Sequence, residues 1–194
     1  MKKTLLALAI MTAIAAPALA ANPPPPQMQP RILLIDRQAI LRMSKVGQDV
    51  AKQVQSYADQ AKADIAGQQK ALQTEAQQLQ QQVAILAADA RAKKVQAFEA
   101  KQQGMQAAAQ RREASIQGGF MKAQQTIAQT LEPILQNIMQ QRGANMILDK
   151  NALVYASPDA VKAFDITQPA IDQLNQKLPN LKVTLAAPPA PGQK

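Results

Sequence analysis

Two long series of apolar residues, each spaced for one face of an α-helix, dominate the chain between Ser44 and Gln141. Steps of three, four or seven residues keep side chains on one stripe of a helix, and the intervening residues are mostly good helix formers. We therefore expect two long helices that share a seam. The first series contains Val46, Val50, Val54, Tyr57, Ala61, Ile65, Leu72, Ala76, Leu79, Val83 and Leu86. The second contains Val95, Phe98, Met105, Ala109, Ile116, Phe120, Ala123, Ile127, Leu131, Ile134 and Ile138.

The turn between the two helices is expected within residues 86–91, where the stripe changes phase and Asp89 can cap or begin the second helix. Each arm of this hairpin would contain about 40 to 50 residues and measure roughly 60 to 75 Å. A hairpin of that length buries only its seam. Because Gln68, Gln102 and Arg112 fall on the seam, weak packing and arms that bend are predicted.

Glycines interrupt the helical pattern at Gly67, at Gly104 and at the pair Gly118-Gly119. A glycine costs about 1 kcal/mol relative to alanine inside a helix. The glycines therefore either lie on exposed surface, where that cost is tolerated, or mark hinges in the arms. If Gly118 and Gly119 form a hinge, replacing both with alanine should stabilise the helix by roughly 1 to 2 kcal/mol and restrict the spread of the arms.

The first 20 residues are typical of a secretory signal peptide. Lys2 and Lys3 precede a short apolar run, and Ala18-Leu19-Ala20 has the small-x-small pattern of a cleavage site. Cleavage after Ala20 is expected, and the apolar run is too short for a permanent membrane span. The sequence contains no cysteine, which excludes a lipid-anchored lipoprotein and any disulfide. The sequence therefore predicts an exported chain.

Proline-rich segments flank the rest of the chain at residues 21–30 and 186–194. Proline supplies no backbone donor and these segments have no apolar face to pack, so both are expected to be extended and disordered. The folded domain is therefore predicted to cover residues 31–185.

Short apolar runs near the two ends of this domain predict a small β unit. The first strand is expected over residues 31–36. The second and third, residues 145–149 and 152–155, are joined by Asp149-Lys150-Asn151, whose composition favours a turn. We therefore predict a β-hairpin over residues 145–155 and pairing of the first strand with it.

A short helix is expected over residues 168–177, with Thr167 as its N-cap and Pro169 in its first turn. The predicted fold class is mainly α with a small β body, an α+β arrangement from which the antiparallel helical hairpin projects as coiled-coil arms.

A β unit of this size leaves strand edges exposed and has too little core for an isolated monomer. Self-association through the β body is the expected solution, with the helical arms pointing away from it. The residues predicted to hold the copies together are Ile32, Leu34, Ile147, Leu153 and Tyr155.

The chain is basic, with a formal net charge of +9, two units of which lie in the signal peptide. A basic surface attracts nucleic acid, anionic membrane surfaces or acidic protein clients. Export and the scarcity of aromatic residues for base stacking argue against nucleic acid. The alternative for the basic cluster at the hairpin tip is a solvated helix start. The candidate client-binding residues are Arg91, Lys93 and Lys94 at the tip, with Arg111 and Arg112 farther along the second arm.

The residue types present do not favour an enzyme. The chain has no histidine and no cysteine, which removes the commonest general base, the thiol nucleophile and the usual transition-metal ligands. Asp59 and Asp64 are not spaced to share one helix face, and Gly118-Gly119 lies in a helical pattern rather than in a phosphate-binding loop. We expect no catalysis, no metal and no cofactor.

The order of these elements is similar to that of the Skp family of periplasmic chaperones, also called the OmpH family. The resemblance rests on Arg31-Ile-Leu-Leu-Ile-Asp36 before the first arm, on Ala97-Phe98-Glu99 in the second arm, and above all on residues 146–156 followed by Asp165-Ile166-Thr167. It covers roughly residues 31–178, and the C-terminal pattern is its most specific part.

The resemblance implies a homotrimer in which strands form a central β body and three hairpins surround a cavity. It also implies that the protein holds unfolded outer-membrane proteins in the periplasm without ATP. The alternative function is that of a structural or adaptor coiled coil of the cell envelope. Two features depart from the family: the proline-rich ends are additions, and Gly118-Gly119 stands where the family's lipopolysaccharide-binding cluster would place two arginines.

Overall fold

Five helices and two strands make up the part of the chain that the computed structural model describes, residues 29–186. The predicted signal peptide, most of the N-terminal proline-rich segment and all but the first residue of the C-terminal one lie outside these residues. The strands are β1 (Ile32–Ile35) and β2 (Met146–Asp149), and the helices are α1 (Arg37–Met43), α2 (Lys45–Val83), α3 (Ala88–Gln141), α4 (Pro158–Phe164) and α5 (Thr167–Lys177).

The two long helices α2 and α3 form the predicted hairpin, and the predicted fold class is confirmed. The turn between them covers residues 84–87, slightly before the predicted position. Asp89 does not cap α3, because the N-cap position is Ala87, which makes no side-chain hydrogen bond to the helix. Asp89 lies in the first helical turn, where a negative charge interacts favourably with the helix dipole.

A short helix that the sequence did not predict, α1, connects β1 to the first arm. Asp36 caps α1 by accepting a hydrogen bond from the backbone of Ala39. Ser44 both ends α1 and caps α2, where its hydroxyl accepts from the N–H of Gly47. A Cβ atom on Gly47 would lie 1.7 Å from the carbonyl oxygen of Leu41, so only glycine permits this close junction of two helices.

The second arm ends in a Schellman motif. The N–H of Gly143 bonds to the carbonyl of Gln140, and the N–H of Ala144 bonds to that of Met139. Gly143 has a φ of +60°, the left-handed conformation that this motif requires and that glycine adopts without strain. The turn directs the chain into β2 beside β1.

The two strands form a parallel pair, with Ile32 opposite Met146 and Ile35 opposite Asp149. The predicted β-hairpin over residues 145–155 is therefore wrong in its second strand. After Asp149 the chain makes a single 3-10 turn over Lys150–Ala152, and residues 153–156 are not a strand. The Asp149 carboxylate accepts from the N–H of Asn151 and thereby caps this turn.

Helices α4 and α5 follow, and the sequence predicted only the second. Ser157 caps α4. Thr167 is the first residue of α5 rather than its N-cap. Its hydroxyl accepts a hydrogen bond from the backbone N–H of Asp36 at 2.9 Å, which ties α5 to the end of β1.

The hydrophobic core lies at one end of the hairpin, and we call this part of the molecule the base. It joins β1, α1, α5 and the ends of both arms that lie far from the tip. Leu34, which was predicted to become buried only on self-association, is already 5% exposed in the single chain, so that prediction is wrong for this residue. The core residues are Leu33, Ile35, Ile40, Val46, Val50, Ala123, Ile127, Leu131, Ile134, Ile138, Ile166, Ala170, Ile171, Leu174 and Val183.

Candidate functional site

The outer parts of the two arms bury no side chain of their own. No residue from 58 to 83 or from 88 to 114 is buried, and we call these two ranges the distal arms. Their seam residues, such as Leu72, Phe98 and Met105, are half-buried at most. Because hydrophobic stabilisation scales with the apolar area removed from water, the distal arms are held together weakly along an open apolar seam.

Polar contacts add little to the pairing of the distal arms. Lys101 of α3 forms an ion pair with Glu75 of α2 at 2.5 Å, and both side chains are exposed to water, where such pairs stabilise by at most about 1 kcal/mol. Arg112 lies on the seam as predicted, and its buried Nε has no hydrogen-bond partner among the described residues. This arrangement agrees with the weak seam that the sequence predicted.

The predicted client-binding residues fall into two separate groups. Arg91, Lys93 and Lys94 are exposed near the tip, where Lys94 donates a hydrogen bond to Gln82 of the opposite arm. Arg111 and Arg112 follow about 20 residues later on the same helix, roughly 30 Å away along its axis. The structure therefore places Arg91, Lys93 and Lys94 together near the tip. It does not place Arg111 and Arg112 beside them.

An apolar surface surrounds the small sheet in the base. Its members belong to β1, β2, the segment after the 3-10 turn and α4, and all have large side chains that are exposed in the single chain. Two of them, Ile32 and Phe164, line a groove of about 660 Å³ whose lining also includes Leu148, Leu153 and Ala160. We call this surface the base patch; it consists of Ile32, Met146, Val154, Tyr155 and Phe164.

The base patch contains two of the predicted oligomerisation residues, Ile32 and Tyr155. Leu153 lines the adjoining groove and is half-buried, while Ile147 is half-buried and packs against the core. Periodicity could not identify Phe164, since it belongs to a helix that the sequence did not predict, nor Val154, which the strand prediction placed on the opposite face from Tyr155.

Ion pairs hold the segment between β2 and α5, which carries Val154, Tyr155 and Phe164 of the base patch. Lys150 forms an ion pair with Asp165, whose carboxylate also accepts from the N–H of Thr167 at 2.8 Å. Burial by itself raises the pKa of Asp165, but the hydrogen bonds from Lys150 and Thr167 outweigh it and hold the pKa below its ordinary value. The Asp149 carboxylate accepts from Arg37, and this hydrogen bond is the main cause of its lowered pKa.

The last described residues form an extended segment that the sequence did not predict. After α5 the chain runs back along the arms without regular secondary structure. It hydrogen-bonds to both arms, and its Val183 is buried at 2% exposure within the core. We call residues 180–186 the strap. The only sequence signal was the alternation of apolar and polar residues from Leu181 to Leu185, which is too short to stand out.

The strap explains the glycine pair of the second arm. A Cβ atom on Gly119 would lie 2.8 Å from the carbonyl oxygen of Thr184, and one on Gly118 would lie 2.7 Å from the Cβ of Ala186. Both glycines lie within an unbroken α3. This packing argues against a hinge at these positions and against the predicted gain in stability on replacement with alanine. By contrast, an added Cβ at Gly67 or Gly104 would meet no atom of the described residues within 4 Å.

Two other kinds of site are absent from residues 29–186. No group of three or more acidic, histidine or cysteine side chains there is placed to hold a metal ion. No helix in the same range combines the length and apolar character needed to cross a membrane.

The chain matches a family model and a solved structure. Residues 31–174 match the model of the OmpH-like outer membrane proteins. The fold is similar to the crystal structure of an OmpH-like outer membrane chaperone from Caulobacter crescentus CB15, with a TM-score of 0.73 and 23% sequence identity. The match covers 86% of this chain and 96% of that one. No protein with a curated description matches the chain.

Proposed function

The chain belongs to the OmpH-like family, and on that premise we propose that it is an ATP-independent holdase chaperone that binds unfolded outer-membrane proteins and keeps them soluble for assembly. The observation that carries this proposal is the contrast between the base and the distal arms. A well-packed base anchors two long helices in which no residue between 58 and 114 is fully buried. Their half-buried apolar seam offers many weak contacts to another chain.

Weak and distributed contacts suit the binding of an unfolded client. A client that must later fold cannot be held in one conformation. Several weak contacts on connected surfaces raise the overall affinity without holding the client in one conformation. The open seam of the distal arms supplies such contacts. No step in this activity needs a catalytic group or a nucleotide, and the protein is accordingly proposed not to be an enzyme.

A homotrimer is part of the proposal. The base patch places Ile32, Tyr155 and Phe164 in water in the single chain, and within residues 29–186 one edge of β2 has no strand beside it. Exposed apolar side chains beside an open strand edge are typical of an interface. Association of three bases through this patch would point the arms to the same side and enclose a cavity between them.

The proposed compartment is the periplasm. The sequence pattern of Met1–Ala20 supports export and cleavage after Ala20, and outer-membrane proteins cross that compartment unfolded. The basic character of the chain also suits an anionic membrane surface as a second partner, whereas nucleic acid is not proposed.

The test of the holdase proposal is protection of a client. The purified mature protein, without ATP, should suppress the light scattering that develops when an outer-membrane barrel in urea is diluted into buffer. Lysozyme at the same concentration, a basic protein of similar size, is the control for charge. Equal aggregation with the two proteins would overturn the holdase proposal. Protection of only one folded envelope protein would instead favour the adaptor function.

Reversal of the tip charges tests the proposed role of that cluster. Replacing Arg91, Lys93 and Lys94 with glutamate should weaken the binding of an acidic client several-fold at low salt and reduce the salt dependence of binding. Helicity should change little, because all three side chains are exposed. The measurement is client titration at low and moderate ionic strength, with circular dichroism alongside.

The matched control reverses Lys52, Lys62 and Lys70, three exposed lysines of the first arm that lie away from the tip. This control makes the same change in net charge, so an equal loss of affinity would show that total charge matters and the tip does not. Unchanged affinity in the tip variant would leave Arg91, Lys93 and Lys94 as a solvated helix start.

A further inference from the structure

The strap is held to the arms through its main chain. The side-chain amide of Gln53 in α2 donates to the carbonyl of Leu181 and accepts from the N–H of Val183, both at 2.9 Å. Asp49 accepts from the N–H of Leu181 at 3.2 Å, and the Tyr57 hydroxyl donates to the carbonyl of Val183 at 3.3 Å. A side chain that pairs with both backbone groups of an extended segment recognises its conformation rather than its residue types.

The second arm completes these contacts. Ser115 of α3 donates its hydroxyl hydrogen to the carbonyl of Ala186 at 2.5 Å, and its own carbonyl accepts from the N–H of Ala186 at 3.1 Å. Gly118 and Gly119 present no side chain here, so the strap backbone lies directly against the helix. The binding surface formed by Asp49, Gln53, Tyr57, Ser115 and the two glycines is called the seat below.

The side chains of the strap alternate between the seat and the solvent. Val183 is buried, and Leu181 and Leu185 are half-buried. Lys182 and Thr184 are exposed. This is the period-two pattern of a β-strand with one apolar face. The seat therefore accepts an extended chain in which every second residue is apolar, and it pairs with the backbone of that chain.

We propose that the seat is a binding site for extended segments of alternating apolar and polar residues, filled in this structure by the protein's own strap. The inference rests on the proposed function for the identity of the competing ligand. The strands of outer-membrane barrels alternate in this way, with apolar residues toward lipid and polar residues toward the lumen. A strand of an unfolded client has the conformation and pattern that the seat recognises, and it replaces the strap when the strap leaves.

The strap controls access to the seat because it is part of the same chain. A tethered ligand competes at an effective concentration in the millimolar range, so a weakly bound segment from a folded protein does not displace it. An unfolded client that is already held by the distal arms is also presented at high local concentration. The strap has no regular secondary structure, so it can open locally without the unfolding of a helix or a strand.

The test removes the strap from the seat by a substitution in the strap alone. Val183→Asp in the full mature chain should expel the strap, because the carboxylate cannot remain in the core, while every seat residue is unchanged. A fluorescent peptide with the sequence of residues 180–186 should then bind at least about tenfold more tightly to this variant than to the wild type, whose seat is occupied. A peptide of equal length from a transmembrane barrel strand should compete with it.

Two control variants test whether the gain in peptide binding comes from the emptied seat. Lys182→Asp introduces the same acidic residue at an exposed position of the strap and should leave peptide binding at the wild-type level. Val183→Asp combined with Gly119→Val blocks the seat with a side chain and should abolish the gain. Equal binding to the wild type and Val183→Asp, or binding that survives Gly119→Val, would overturn the proposal.

Hydrogen exchange of the wild type gives a second readout that does not depend on any variant. The amides of Leu181, Val183 and Ala186 are bonded to the arms and should be protected in the free protein. Addition of an unfolded barrel client should remove this protection while the amides of α5 remain protected. Unchanged protection of the strap in a client complex would refute displacement. If the wild type bound no client at all, the holdase proposal would fail, whereas the peptide experiment would still decide whether the seat exists.

Discussion

Replacement of Gly119 by alanine should destabilise the protein, whereas the same replacement at Gly67 should stabilise it. Both glycines lie inside long helices, so both changes gain about 1 kcal/mol of helix propensity. At Gly119 the new methyl group would lie 2.8 Å from the carbonyl oxygen of Thr184 and 3.3 Å from the Cα of Leu185. Crowding of this kind costs about 1 to 3 kcal/mol, and subtracting the propensity gain leaves a net loss of up to about 2 kcal/mol.

The measurement is the midpoint of urea unfolding for the two variants and the wild type. Gly67 is the matched control, because a Cβ atom there meets no atom of residues 29–186 within 4 Å, and its variant should be more stable by about 1 kcal/mol. Exchange of the Val183 amide should rise in the Gly119 variant and stay unchanged in the Gly67 variant. Stabilisation at both positions would mean that the strap does not press on α3.

Replacement of Val154 and Tyr155 together by aspartate should convert the proposed trimer into a monomer. Tyr155 is 88% exposed in the single chain and Val154 is fully exposed, so the double change removes no contact within the protomer core. In an interface, however, each unpaired charge would cost several kcal/mol. The expected result is a threefold lower mass by light scattering, with helicity and melting of the protomer retained.

Ile85→Asp is the control for this experiment. Ile85 is 85% exposed at the hairpin tip, so it undergoes the same type of change far from the base and should not alter the mass. Ile147→Asp is a less specific probe, because Ile147 packs against the core of the protomer. A wild type that is monomeric at micromolar concentration, or a double variant that keeps the wild-type mass, would exclude the base patch as the interface.

Local patterns were sufficient to predict the arms. The apolar residues of α2 and α3 repeat over many turns, and a period sustained for that length identifies a helix regardless of its partners. The same reasoning located the weak seam, since Arg112 and Gln68 interrupt it. It also located the tip to within a few residues.

Local patterns could not predict which segments of the chain pack against one another, and the errors in the predicted fold follow from that limit. Residues 152–155 have strand-like composition, but a strand forms only beside another strand. In this chain the 3-10 turn that Asp149 caps does not return residues 152–155 to the open edge of β2. The edge of β1 away from β2 is taken by Asp165, which bridges to Leu34, and by Ile166, whose N–H bonds to the Leu34 carbonyl. The glycine pair was misinterpreted for the same reason: its partner, the strap, lies more than 60 residues later in the sequence.

The parallel pairing of β1 with β2 sets the order in which the chain can fold. Ile32 must meet Met146, and every residue of both arms lies between them. Closing so long a loop in an unstructured chain is slow because its entropy must be lost before any contact compensates for it. If the arms form first, the tip turn brings the two strand segments together and leaves a much shorter closure. We therefore expect the tip, which contributes nothing to the stability of the base, to govern the rate at which the base forms.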